Sequence, residues 1–358
     1  MQGRLLVGHE APGTNSFSLL RLAAAAAVVV SHNFGILTGD LKTDPVDAWT
    51  GFTLGKHAVH VFFVLSGLLI TMSLVRRANL VDYARARALR IGPGLLVCVL
   101  VTTFVLGPLV TVLPLAAYLS HAETAAYLVK SLALVTGKAP LPGVFASAPI
   151  PGEVNLSLWT LKYEVVCYVL LALAAALGAL RLGYLRPALL GLLLVIAGSY
   201  LWPHAIVVDT PLDNARRFLF CFSLGALAYL ERERLRYGLT ICVAALLATL
   251  ALFGTRFGVP VMLVATALVV ITLGTRRYGA VSQLTDRYDL SYGVYVYGWP
   301  VGQTVLLLAP AIGLLAFQAT TLGLSLLLGL ASWVLVERPA LQLKAWPATW
   351  RAQRRSAA

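Results

Sequence analysis

Long apolar runs separated by short polar connectors dominate this chain. A run of about 17–25 apolar residues is long enough to cross a bilayer as a helix. Roughly ten such runs can be counted, near 17–37, 57–75, 93–113, 156–179, 184–202, 215–231, 238–254, 256–275, 290–309 and 313–336. Only FGTRFG divides the seventh from the eighth. The pattern therefore predicts an all-α polytopic integral membrane protein of about ten transmembrane helices. Between the third and fourth runs, APLPGVFASAPIPGEVN holds four prolines and is predicted to be non-helical. A short amphipathic piece near 122–136 is expected along the interface.

The first run, FSLLRLAAAAAVVVSHNFGIL, breaks its own apolarity with Arg21 and His32. Charged and titratable groups inside a span are costly, so their default reading is functional. Eleven residues at about 100° each return His32 to within roughly 20° of Arg21, about 16 Å away along the axis. Both thus share one helix face. The same pair also suits an arginine snorkelling to headgroups and a histidine in a polar seam between helices.

Composition agrees with the pattern. Of 358 residues, 59% are hydrophobic and 12% charged, which excludes an ordinary soluble globule. The net charge of +13 does not point to nucleic acid, because the basic residues sort by connector. Nineteen lie on one side, including Arg76, Arg77, Arg85, Arg87 and Arg90, and seven on the other, including Lys42, Lys56, Arg216, Arg217 and Arg256. Positive connectors favour the cytoplasm, so both termini are expected there, as about ten spans require. Residues 1–340 read as one transmembrane domain and 341–358 as a short basic tail with Trp346 and Trp350. The N-terminal run is read as a retained span rather than a signal peptide, because Arg21 lies too deep and no polar mature region follows. The four cysteines all fall in apolar runs and are expected to pack as small apolar residues. No metal-ligand spacing appears, so no metal is expected.

Depth suggests which polar residues meet. His32 lies about 9 Å below the outer boundary, and Glu164, in the fourth run, about 12 Å below it. A buried carboxylate needs a partner or a proton, and a histidine supplies one. A His32–Glu164 pair would suit a base and its orienting acid, and it would equally suit a structural contact. His57 and His60 open the second run, where they fit either acceptor binding or an interfacial position. Arg87 and Arg90 are three apart and share a helix face at the entrance to the third run. Such a pair can grip phosphates; it also satisfies the positive-inside pattern alone.

These elements, taken in order, resemble the acyltransferase 3 family of multispan membrane acyltransferases. Arg21 and His32 stand at the family's first-span spacing. VFFVLSGLLIT, with Phe62, Phe63, Ser66 and Gly67, resembles its FFxxSG element. Arg87, Arg90, Ile91 and Pro93 resemble R-x-x-R-I-x-P, and WTLKYEVVCY supplies Trp159, Glu164 and Tyr168. SYGVYVYGWP and the closing Glu337-Arg338-Pro339 complete the set, which covers about 14–340. There are departures. Gly298 stands where many members have a histidine, and His60 where an aspartate is frequent. No appended SGNH hydrolase-like domain is read, so any partner acting after transfer would be a separate protein.

The resemblance implies transfer of an acyl group, often acetyl, from cytoplasmic acyl-CoA to a hydroxyl of an extracytoplasmic acceptor. The expected function is an acyl-CoA-dependent O-acyltransferase of a glycan or lipid-linked sugar in the bacterial cytoplasmic (inner) membrane. Acyl-CoA is a donor substrate; no permanently bound cofactor and no nucleic acid are expected. His32, Glu164 and Arg21 are the catalytic candidates. Arg87, Arg90, Ser66 and Gly67 are the donor-side candidates, and His60, Trp159 and Tyr163 the acceptor-side ones. A thioester is already electrophilic, so the main need is a base for the acceptor hydroxyl, and histidine suits it. Arg21 lies too far from His32 to share a reacting atom and would hold the CoA end instead. Two other readings compete. One changes the acceptor to a small secreted metabolite such as a macrolide. The other is a multispan glycan transporter or flippase, which would favour paired halves with broken helices; no such halves are apparent.

Overall fold

Each apolar run folds as a helix. The computed structural model describes residues 4–9, 13–77, 79–135, 139–181, 183–201 and 210–345. In chain order these hold α1 (Phe17–Thr38), α2 (Pro45–Thr50), α3 (Leu54–Arg77) and α4 (Leu80–Val101). One π turn, Thr102–Leu106, carries α4 into α5 (Gly107–Val110), followed by α6 (Leu115–Ser120) and α7 (Ala122–Leu132). After a 3-10 turn at Leu156–Thr160 come α8 (Leu161–Ala176), α9 (Leu185–Ser199), α10 (Pro211–Leu230), α11 (Leu239–Ala251) and α12 (Gly258–Gly274). The chain ends in α13 (Gly279–Arg287), α14 (Ser291–Leu308), α15 (Leu314–Ser332), a second π turn at Trp333–Glu337 and α16 (Arg338–Gln342). The strands among the described residues are β1 (Arg4–Leu5) and β2 (Arg236–Tyr237), paired antiparallel. The tail beyond 345, with Trp346 and Trp350, lies outside the described residues.

Among the described residues, five helices are long and apolar enough to cross a membrane, or six if α12 and α13, bent by 100°, count as one span. Turns at 252–257 separate α11 from α12, where only FGTRFG divided two apolar runs. The proline-rich stretch is non-helical through its described residues, 139–155, and α7 lies where the amphipathic piece was expected.

Two helix starts differ from the hydropathy pattern. The third run was expected from 93, but α4 begins at Leu80, thirteen residues earlier. Asn79 Oδ1 caps it by accepting from the Val81 and Asp82 amides, and Ala, Leu and Arg then favour helix through the basic segment. Arg85, Arg87 and Arg90 are therefore helical residues. Likewise α10 begins at Pro211, capped by Thr210, whose side chain accepts from the Asp213 amide. Arg216 and Arg217, expected as charges of an external connector, fall inside α10. Arg217 is fully buried, because helical spacing places Asp213 one turn away to pair with it.

The contacts divide the chain into two compact units. The first takes its residues from 1–27, 45–78 and 163–289, the second from 28–44, 79–162 and 290–358. In the first, α3 and α10 run against each other at backbone distance. A Cβ on Gly67 would stand 1.9 Å from the Phe222 carbonyl oxygen, and one on Gly225 would stand 2.0 Å from that of Val64. Small residues permit this approach in membrane helices. Stacked Phe63 and Phe218, 4.5 Å between centroids, seal the same seam.

In the second unit α14 packs on α15, and α14 also fastens the proline-rich stretch. Trp299 Nε1 donates to the Glu153 carbonyl at 2.7 Å, and Asn155 Nδ2 donates to the Val296 carbonyl at 2.8 Å. Gln303 Nε2 donates to the Ile150 carbonyl at 3.2 Å. Irregular backbone is thus tied down by side chains. Tyr118 of α6 donates to the Thr103 carbonyl, 2.7 Å away at the π turn, and burial pushes its phenol up to about 12.

Candidate functional site

The polar groups of the apolar helices gather into a few clusters, some in each unit. In the second unit His32 meets the fully buried Trp299 edge to face, 5.1 Å between ring centroids at 82°. Its Nδ1 is buried and has no hydrogen-bond partner among the described residues. Ser31, the preceding residue, donates to Asp44 Oδ2 at 2.5 Å. Asp44 is itself buried and lies within electrostatic reach of the His32 ring. A histidine nitrogen with no hydrogen-bond partner among the described residues, within electrostatic reach of a buried carboxylate, has the chemistry of a general base.

Gly298, one residue before Trp299, faces α1 in the same cluster. A Cβ there would stand 2.5 Å from Val29 Cγ2. The departure from the family's histidine therefore has a steric reason, because Val29 occupies the space a side chain would need.

The basic element of α4 and the closing Glu-Arg-Pro element also meet within the second unit. Arg90 Nη1 lies 3.7 Å from Glu337 Oε2, and Ser332 Oγ donates to Glu337 Oε1 at 2.9 Å. Tyr292 OH, from the SYGVY segment, donates to the Ile91 carbonyl at 3.0 Å. Glu337 closes a π turn, a feature often found at functional sites. Trp159 sits half-buried in the 3-10 turn before α8, where Thr160 Oγ1 and Tyr295 OH share a hydrogen bond of 2.5 Å.

In the first unit Glu164 has two hydroxyl partners on one oxygen. Ser66 Oγ donates to Oε1 at 3.0 Å, and Tyr168 OH donates to the same atom. The structure thus joins two candidates, Ser66 and Glu164, that came from separate motifs. Gly67, next to Ser66, provides the close α3–α10 contact. His32 and Glu164 fall in different units, each with the partners just given.

Arg21 pairs with Asp289, Nη2 to Oδ2 at 2.9 Å, and that carboxylate is buried. His60 accepts through Nε2 from Arg217 Nη1 at 3.1 Å, since arginine has donors only. Arg217 also donates to Asp213 Oδ2 at 2.9 Å and to Asn214 Oδ1 at 2.5 Å, and lies over the Phe52 ring at 4.8 Å. Tyr163 OH donates to the Pro211 carbonyl at 3.3 Å, and its ring meets Phe218 edge to face.

Asp44, Asp289 and the Asp213–Arg217 pair were missed in the sequence. The last was readable, because PLDNARRF places Asp213 and Arg217 at the i, i+4 spacing of a helical ion pair. Asp44 and Asp289 carry no local signal: one lies in a connector and the other just before α14.

Similarity to known proteins gives the chain its family. A family model described as an acyltransferase domain matches residues 14–336. An O-acetyl transferase of Shigella phage Sf6 is 30% identical over 296 residues, 82% of this chain and 86% of that protein. Nodulation protein 10 of Rhizobium leguminosarum bv. viciae is 26% identical over 376 aligned positions, 94% of this chain and 95% of that protein. No solved structure matches. The match runs from before Arg21 to Val336, one residue short of Glu337, and takes in all but the last of the clusters' residues. The chain is a multi-pass membrane acyltransferase, and it belongs to the acyltransferase 3 family.

Proposed function

We propose that the protein moves an acetyl group from cytoplasmic acyl-CoA to a hydroxyl of an extracytoplasmic or lipid-linked glycan. The observation that carries this reading is the placement of His32 against Trp299 with Asp44 in reach, its Nδ1 without a hydrogen-bond partner among the described residues. Acetyl as the group transferred follows the name of the phage relative. In this mechanism His32 removes the acceptor hydroxyl proton as the oxygen attacks the thioester carbonyl carbon. The C–S bond breaks, and the proton passes from His32 to the departing sulfur. Asp44 stabilises the transient imidazolium, and Glu164, bonded by Ser66 and Tyr168, is a separate polar centre of the first unit.

Arg21, Arg87 and Arg90 serve the donor. Arg87 and Arg90 lie on α4 one turn apart, and a guanidinium fork matches phosphate oxygens. His60, Trp159 and Tyr163 serve the acceptor side. Ten helices cross a bacterial inner membrane in this reading, with both termini in the cytoplasm, as the bias of basic connectors requires.

The test is glycan O-acetyl content in a deletion strain complemented with wild type, His32→Ala or Glu164→Gln, each checked for expression. Loss on deletion, with rescue by wild type and none by His32→Ala, is the expected result. Full rescue by His32→Ala removes the base from this mechanism and restores the transporter reading, which needs no proton acceptor. An unchanged glycan on deletion moves the acceptor to a secreted metabolite.

A further inference from the structure

The first unit holds a cavity of about 880 Å³ between α1, α3, α11 and α12, at the large end of ligand pockets. Its wall runs along α12 from Gly258 to Val270, which is about 18 Å at helical rise. That is comparable with one leaflet of a hydrocarbon core about 30 Å thick.

The wall is apolar through most of that length. Ala23 and Ala27 of α1 open it, and Val61, Met262 and Val269 line it. Two threonines at mid-length are no exception. Thr249 Oγ1 donates to the Ala245 carbonyl at 2.9 Å and Thr266 Oγ1 to the Met262 carbonyl at 2.9 Å. Both hydroxyls are thus taken by their own helices.

The polar lining collects at the Gly258 end, in Thr50, His57, Tyr200, Thr255 and Arg256. Aromatic walls there are backed by cations. Arg217 lies over the Phe52 ring and Arg216 over the Tyr200 ring, each at 4.8 Å. Arg216, Arg217 and the exposed Arg256 are answered at this end by Asp213, with Asp47 and Lys56 of the nearby segments offsetting each other. Counted over the described residues, this end is net positive. Trp49 and Phe253, both lining and both exposed, give it an aromatic rim of the kind found at headgroup level.

We propose that this cavity binds a lipid whose head carries a phosphate, its hydrocarbon chain along α12 and its head beside Arg256. A long apolar slot one leaflet deep selects a chain, and the positive end selects an anion. The inference concerns binding and does not depend on which group the protein transfers.

The experiment is native mass spectrometry of the full chain released from nanodiscs. Palmitoyl-oleoyl-phosphatidylglycerol, a long-chain polyprenyl phosphate and neutral diacylglycerol are offered separately. Wild type is expected to retain one phosphate-bearing lipid, and whichever of the two is retained identifies its source. Ala27→Phe and Thr266→Phe, which fill the slot from opposite walls, should each lower retention at least fivefold while eluting as monodisperse protein. Arg256→Ala should weaken retention of the phosphate lipid several-fold and leave diacylglycerol unchanged. Undiminished retention in both filled variants, or equal retention of diacylglycerol and the phosphate lipids by wild type, overturns the proposal.

Discussion

His32 and His60 are both histidines inside apolar helices, and their neighbourhoods differ in one respect. His60 has its Nε2 lone pair occupied by Arg217, a guanidinium that also binds Asp213 and Asn214. Both rings keep a buried Nδ1 with no hydrogen-bond partner among the described residues, but among those residues no guanidinium is hydrogen-bonded to the His32 ring. One ring is tied to a guanidinium hub, and the other has only the buried carboxylate of Asp44 within electrostatic reach. A buried polar group left open is costly, and such costs are retained where function requires them.

The sharpest way to break this comparison is to remove each centre. Loss of a positioned general base typically costs about 10²–10⁴ in rate. His32→Ala should therefore lower O-acetyl transfer at least about 100-fold, with a melting temperature close to wild type, read by O-acetyl content and by thermal unfolding in detergent. Arg217→Met should do the reverse in kind. It removes the buried Arg217 side of the Asp213 ion pair and leaves only Arg216, 3.4 Å away, at a cost of up to about 3–5 kcal/mol of stability. The double variant Arg217→Met/Asp213→Leu should recover most of that loss. A destabilised His32→Ala protein, or an unperturbed Arg217→Met one, would overturn this division between a reacting ring and a structural hub.

Smaller effects sharpen the picture around these centres. Gly225→Val places a side chain where α3 backbone already stands, and overpacking of this sort costs about 1–3 kcal/mol. Unfolding should shift accordingly, whereas the same change at Gly191, which has nothing within 4 Å, should leave it nearly unmoved. Tyr118→Phe should cost about 1 kcal/mol, the net value of one hydrogen bond. Because burial raises that phenol, wild type loses this contribution as pH climbs from about 10 through about 12. The phenylalanine variant should lack that part of the alkaline decline in melting temperature.

Helix positions were legible because apolar length is the strongest signal a chain in a membrane can carry. Helix starts were less so. Asn79 and Thr210 cap α4 and α10 well outside the apolar runs, and hydropathy alone does not register a cap. Half of the site was legible in a similar way. Arg21, His32 and Glu164 stand out because charge inside an apolar run is rare, and Arg90 because it lies one turn from Arg87. Their partners do not stand out: Asp44 and Asp289 come from segments where an aspartate is ordinary. Ser66 was found from its motif, but its bond to Glu164 spans 98 positions and leaves no trace in either motif.

The backbone contact at Gly67 and Gly225 has a kinematic consequence. Each helix places its glycine against a carbonyl of the other, so neither can rotate or slide without driving main chain into main chain. The two helices form a single stiff beam. Ser66 and His60 ride on its α3 half and Arg217 on its α10 half, so a movement of the beam carries all three together. A substrate that displaces Ser66 by an ångström displaces the arginine hub with it.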